Sequence, residues 1–165
     1  EPWLVGGGMV DVVGSSATET LWMPAPARFE AGSPNLPGAV GFAAAAAFME
    51  QIGVPEIASH VMGFTRSAIA KLEQVTGFQL TIPQASIAAP VVSFTMTGVH
   101  PHDLAQIAGE RHVAIRAGHH CAQPLLQILG LSATARASFA IYNDESDLDA
   151  LAESIDYAHS FFNAG

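Results

Sequence analysis

The run Arg116-Ala117-Gly118-His119-His120-Cys121-Ala122-Gln123-Pro124 concentrates the groups best able to do chemistry: a guanidinium, two imidazoles and the one cysteine of the 165-residue chain. Val113, Ala114 and Ile115 ahead of it predict a short buried strand, His112 to Arg116, and Ala117-Gly118 predicts a turn. Cys121 or Ala122 to Leu129 predicts a helix stopped by Gly130. Cys121 then sits near a helix N-terminus with positive charge nearby. Both features favour thiolate over thiol, and can draw a cysteine below its free pKa of about 8.5. Thiolate is the nucleophilic form. The bland alternative is a buried, inert cysteine. The arginines at 116 and 136 each lie in or beside an apolar strand, where a planar guanidinium grips a carboxylate in bidentate fashion or makes a structural ion pair.

Other chemistries find less support. Fifteen acids against five arginines and one lysine give a net charge of −9, which excludes nucleic acid as an expected partner because phosphate binding needs clustered cations. A single cysteine excludes an internal disulfide framework and a cysteine-based zinc site. The seven histidines form no helical ligand pair with a supporting acid, and His100-Pro101-His102-Asp103 reads as a helix start, so no metal site is expected. The apolar stretch Gly41 to Met49 is too short to span a bilayer, and no charged leader is evident, so a cytoplasmic chain away from membranes is expected.

The elements that must position these groups follow from periodicity. Residues 1–35 are rich in glycine and proline and read as loops and short strands. An alanine-rich helix is expected from Gly38 to Gln51. A second begins at Pro55 and runs to about Val75, with Ile57, Val61, Phe64, Ala68 and Leu72 on one face and Gly77 to end it. Phe78 to Ile82 and Val91 to Thr97 are expected strands, the second alternating cleanly between Val92, Phe94, Met96 and the more polar Val91, Ser93, Thr95. Pro101 to Glu110 is an expected helix and Arg136 to Tyr142 a strand. Asn143 and Asp144 offer caps for a terminal helix marked by Leu148, Leu151, Ile155, Ala158 and Phe162. From Phe78 onward the pattern is a small mixed sheet covered by helices, an α+β arrangement.

Four motifs in order resemble one family. RAGHHCAQPLL, RASFAIYN with the acidic DESDLDAL after it, EPWLVGGGMV, and ARFEAGSPN together resemble the C-terminal part of SufS/CsdA-type cysteine desulfurases, class V aminotransferases, across nearly all the chain. The resemblance implies the α/β fold of type I pyridoxal phosphate enzymes. Residues 1–35 would be the tail of the cofactor-binding large domain, and 36–165 the interdomain helix and the small domain. It implies conversion of L-cysteine to L-alanine with a persulfide on Cys121, serving iron–sulfur cluster assembly or other sulfur transfer. It further implies Arg116 and Arg136 as carboxylate-binding residues, with His119 and His120 beside the substrate. The turn at Gly32 and Ser33 would reach the cofactor phosphate of the opposite subunit in a homodimer, with serine standing where the family commonly has threonine. A SufE- or SufU-like protein would accept the sulfur.

The pattern departs from the family in one decisive respect. The cofactor's aldimine lysine, which the family carries in a His-Lys motif upstream, has no counterpart here. Lys71, the single lysine, sits on a helix near Glu73 and reads as a solvated helix-face residue. These 165 residues alone are therefore not expected to turn over cysteine. Three arrangements remain open: a piece of a longer enzyme, which we favour; half of a split enzyme; or a freestanding sulfur-carrier or partner-binding module. A selenocysteine lyase or another lyase of the same family is the rival enzyme.

Overall fold

The computed structural model describes residues 2–163, so Glu1 of the first motif lies outside the described residues. The backbone divides into two units, Glu1–Gln51 and Ile52–Gly165.

In the first unit, β1 (Val10–Val12) and β2 (Leu21–Trp22) form a short antiparallel ribbon. Helix α1 (Leu36–Ile52) runs to the edge of this unit. Asn35 caps it, its Oδ1 accepting from Gly38 N–H at 3.0 Å. A Cβ at position 38 would lie 2.4 Å from the Asn35 amide, so the cap requires glycine there. Every residue of α1 is exposed although most are apolar. That composition suits a helix covered on all sides.

The second unit starts with α2 (Val54–Leu72), with Pro55 in its first turn, where the missing N–H costs nothing. Val61, Ala68 and Leu72 are buried, as the spacing predicts, together with Thr65 and Ile69. Gly77 follows with φ 82°; a side chain there would also strike His159 at 2.6 Å. The strands β3 (Phe78–Leu80), β4 (Val91–Met96), β5 (Arg116–Gly118) and β6 (Thr134–Ser138) form one sheet in the order β3-β4-β6-β5. The α+β class holds, and each pair of the expected mixed sheet runs antiparallel. Helices α3 (Pro101–Glu110), α4 (Gln123–Ile128) and α5 (Glu145–Asn163) complete the unit. Asp144 opens α5 by accepting from Ser146 N–H at 2.8 Å, while Asn143 Oδ1 accepts from Ala140 N–H at 2.7 Å.

Val92, Phe94 and Met96 of β4 and Ala135 and Ala137 of β6 bury one face of the sheet against Ile69 and Leu72 of α2, Leu104 of α3, and Leu151, Ile155 and Ala158 of α5. Because side chains alternate along a strand, Ser93 and its register partner Arg136 point to the other face, away from these helices. The helical core thus leaves one sheet face open.

Around the thiol motif, four expected boundaries move. The strand expected at His112 to Arg116 begins only at Arg116: Val113 N–H turns back to the Ala108 carbonyl at 2.8 Å, so 113–115 supply apolar side chains without joining the ladder. Ala117 and Gly118, expected as the turn, are strand residues paired with Ala135 and Thr134. The strand expected from Arg136 to Tyr142 starts at Thr134 and ends at Ser138. Finally α4 begins at Gln123 and spans six residues, so Cys121 lies in the turn before it and meets only a weak helix dipole.

Candidate active site

The β5–β6 register puts Arg116 directly opposite Arg136. Residues so opposed share a face, and two like charges there repel by a few tenths to about 1 kcal/mol unless something negative joins them. No carboxylate does: among the described residues the ion pair that forms is Lys71 with Asp149, elsewhere in the unit. Arg136 Nε is moreover buried without a hydrogen-bond partner. Paired guanidiniums with an unused donor have the chemistry to take an anion.

Past Gly118 the chain reverses through two consecutive residues of positive φ, His120 at 53° and Cys121 at 57°. Non-glycine residues seldom adopt this region. The turn, closed by Ala122 N–H donating to the His119 carbonyl at 2.9 Å, leaves Cys121 exposed, with Arg116 Nη2 4.0 Å from Sγ. Arg116, His119, His120 and Cys121 line one open pocket of ≈ 460 Å³. Arg136 does not line that pocket and stands opposite Arg116 across the β5–β6 ladder.

His120 differs from its neighbour. His119 is exposed, whereas the His120 ring is half-buried, with Nε2 3.1 Å from the Thr134 carbonyl and 2.9 Å from Thr134 Oγ1. Burial, and beyond it the Arg136 and Arg116 guanidiniums and His119, hold its pKa below the usual histidine value, against the opposing pull of the Thr134 carbonyl.

Two residues of this site escaped the sequence reading. His102 of α3 lines the pocket, and Thr134 seats His120. Both arrive by long-range pairing, α3 against β5 and β6 against β5, and neither carries a local signal. Gly32, at φ 88°, and Ser33 lie together with Gly8 and Pro34 around a separate hollow of the first unit.

Pyridoxal phosphate presents its protein with a phosphate and an aldehyde. Ser33 offers a hydroxyl suited to a phosphate, but an aldehyde cofactor needs an amine, and Lys71 is engaged with Asp149 on the α2 and α5 surface and does not line the thiol pocket. The residues present do not by themselves fit the cofactor. Among the described residues no helix is long and apolar enough to cross a membrane.

A family profile, that of class-V aminotransferases, matches residues 1–151. A protein of Halalkalibacterium halodurans named probable cysteine desulfurase is 41% identical over 162 residues, which are 98% of this chain and 39% of that protein. A Staphylococcus epidermidis protein of the same name is 39% identical over 163 residues, 99% of this chain and 39% of its own length. The crystal structure of the cysteine desulfurase CsdA (S-sulfonic acid) from Escherichia coli matches with a TM-score of 0.81 at 37% identity, over 98% of this chain and 39% of that one. The apo cysteine desulfurase of Thermococcus onnurineus NA1 matches with a TM-score of 0.74 at 35% identity, over 95% of this chain and 39% of that one. The chain thus spans about two fifths of the length of these relatives. By its profile and its fold together, the chain belongs to the class-V aminotransferase family.

Proposed function

We propose that this chain carries the sulfur-accepting half of a cysteine desulfurase site, in which Arg116 and Arg136 hold the carboxylate of L-cysteine and the Cys121 thiolate takes its sulfur. The observation that carries the reading is the pair of opposed guanidiniums without a carboxylate partner among the described residues, one of them 4.0 Å from an exposed thiol. An amino-acid carboxylate supplies the missing anion, and its short side chain then reaches toward Sγ. In the overall transfer a bond forms between Sγ and the substrate sulfur while the substrate carbon–sulfur bond breaks. The carbon keeps the electron pair and takes the substrate thiol's proton, leaving L-alanine and an enzyme persulfide. His119 faces the pocket and can hold or pass that proton.

Relatives 37–41% identical that bear the cysteine desulfurase name support this assignment. Family membership implies pyridoxal phosphate as the cofactor. Its lysine would come from outside these 165 residues, and Gly32 and Ser33 would meet its phosphate across a homodimer. On the same reading residues 1–35 belong to the large domain and 36–165 to the interdomain helix and small domain, the enzyme works in the cytoplasm, and a SufE- or SufU-like protein takes the sulfur on. The test is mass spectrometry of the native polypeptide after incubation with L-cysteine and cofactor. The Cys121 peptide should gain one sulfur atom, reversibly by reductant, and Cys121→Ser should gain none. Alanine production at an undiminished rate by Cys121→Ser would refute the assignment.

A further inference from the structure

We propose that His120 is a positioning residue for the Cys121 thiol: its ring, seated on Thr134 of the neighbouring strand, holds the left-handed turn that keeps the sulfur beside Arg116. The inference deepens the thiol-site reading above and rests on it. Two successive non-glycine residues of positive φ cost conformational energy and persist only where surrounding contacts over-determine them. One backbone bond, Ala122 N–H to the His119 carbonyl, closes the turn. The second restraint is the His120 side chain.

The seat is rigid. Thr134 is 1% exposed and pairs in register with Gly118, so the β5–β6 ladder fixes the distance from seat to turn. A carbonyl oxygen only accepts, so Nε2, 3.1 Å from Thr134 O, carries the hydrogen. The neutral ring then keeps a lone pair on Nδ1, which is buried and without a hydrogen-bond partner. The groups facing or neighbouring this ring and its turn are Arg116, Arg136, His119, His102 and Cys121 itself. A second proton on the ring would add a third cation beside the two guanidiniums; burial and that repulsion disfavour it, against the pull of the Thr134 carbonyl.

The test compares Cys121 alkylation by iodoacetate, which carries the carboxylate the arginines attract, with alkylation by neutral iodoacetamide. It is followed on the Cys121 peptide of the native polypeptide. In both reactions sulfur displaces iodide, so the ratio of rates cancels intrinsic nucleophilicity and reads the placement of sulfur against the guanidinium. Relative to a free cysteine peptide, the native ratio should favour iodoacetate about fivefold, the factor for one pair of unit charges about 4 Å apart in water. His120→Leu should fall to the peptide ratio, while His120→Gln, which keeps an N–H at similar reach, should retain most of the preference. Thr134→Val, lacking one of the two acceptors, should fall in between. A His120→Leu protein with native unfolding temperature and native ratio overturns the proposal. If that variant does not fold, an unchanged ratio in Thr134→Val overturns it instead. A native protein with only the peptide's ratio defeats the carboxylate-site reading itself, and is distinguishable because the preference is then missing before any substitution.

Discussion

Replacing Arg136 by methionine should stabilise the fold and abolish anion binding at once. Methionine keeps an unbranched stem of similar length and removes two liabilities: repulsion from Arg116 directly opposite, and a buried Nε without a partner. The first contributes about 0.5 kcal/mol, at the middle of the range for opposed like charges and discounted for the exposure of Arg116. The second contributes about 1 kcal/mol, at the low end for an unsatisfied buried donor because Arg136 is only partly buried. Together they give about 1.5 kcal/mol, or a rise in Tm of roughly 5 °C for a unit of this size. Scanning calorimetry at low salt measures it, and raising the salt to about 1 M, where the Debye length falls to about 3 Å, should shrink the repulsive part of the gap. A saturating carboxylate ligand should reverse the ranking. At a hundred times Kd it stabilises the native protein by about 2.7 kcal/mol and the variant by nothing. An Arg136→Met protein less stable than native without ligand would refute the reasoning, because the site would then already hold its counter-charge.

Three other expectations follow from the same geometry. The His120 pKa is lowered in the folded state, so the unfolded chain binds the extra proton first. Stability from this group is therefore fully present above the ordinary histidine pKa of about 6.5 and is lost as pH falls below it, a loss that urea midpoints at neutral and acid pH should show and His120→Gln should lack. Leu72→Ala, at a position with 0% exposure in the helical core, should cost about 2–5 kcal/mol by denaturant unfolding. Lys71→Met should lower stability by less than about 1 kcal/mol and leave the persulfide formation proposed for Cys121 unchanged, since this lysine's partner is Asp149 on the helix surface.

The sequence made some of this architecture plain because local pattern and tertiary role coincide. In β4 the alternation of Val92, Phe94 and Met96 is the alternation of burial, and Pro101 to Glu110 starts at a proline and ends where the helix ends. Where they diverge, the reading slipped. Val113, Ala114 and Ile115 have strand composition but lack ladder partners, whereas Arg116–Gly118 has little strand propensity and is drawn into the sheet by Thr134, Ala135 and Arg136. The thiol, both arginines and the two histidines were visible because they fall in short motifs. That the arginines oppose each other, that His120 rests on Thr134, and that His102 completes the pocket depend on register and on α3 packing, which no local spacing encodes.

The left-handed turn also restricts which residues can ever occupy positions 120 and 121. With φ of 53° and 57°, asparagine, aspartate and glycine fit the backbone, while β-branched side chains are genuine outliers there. Serine can replace Cys121 with little distortion; threonine, the other hydroxyl nucleophile, cannot. The backbone therefore narrows the chemistry available at this corner before any substrate arrives, and a library randomised at these two codons should return few valine, isoleucine or threonine variants among its folded members.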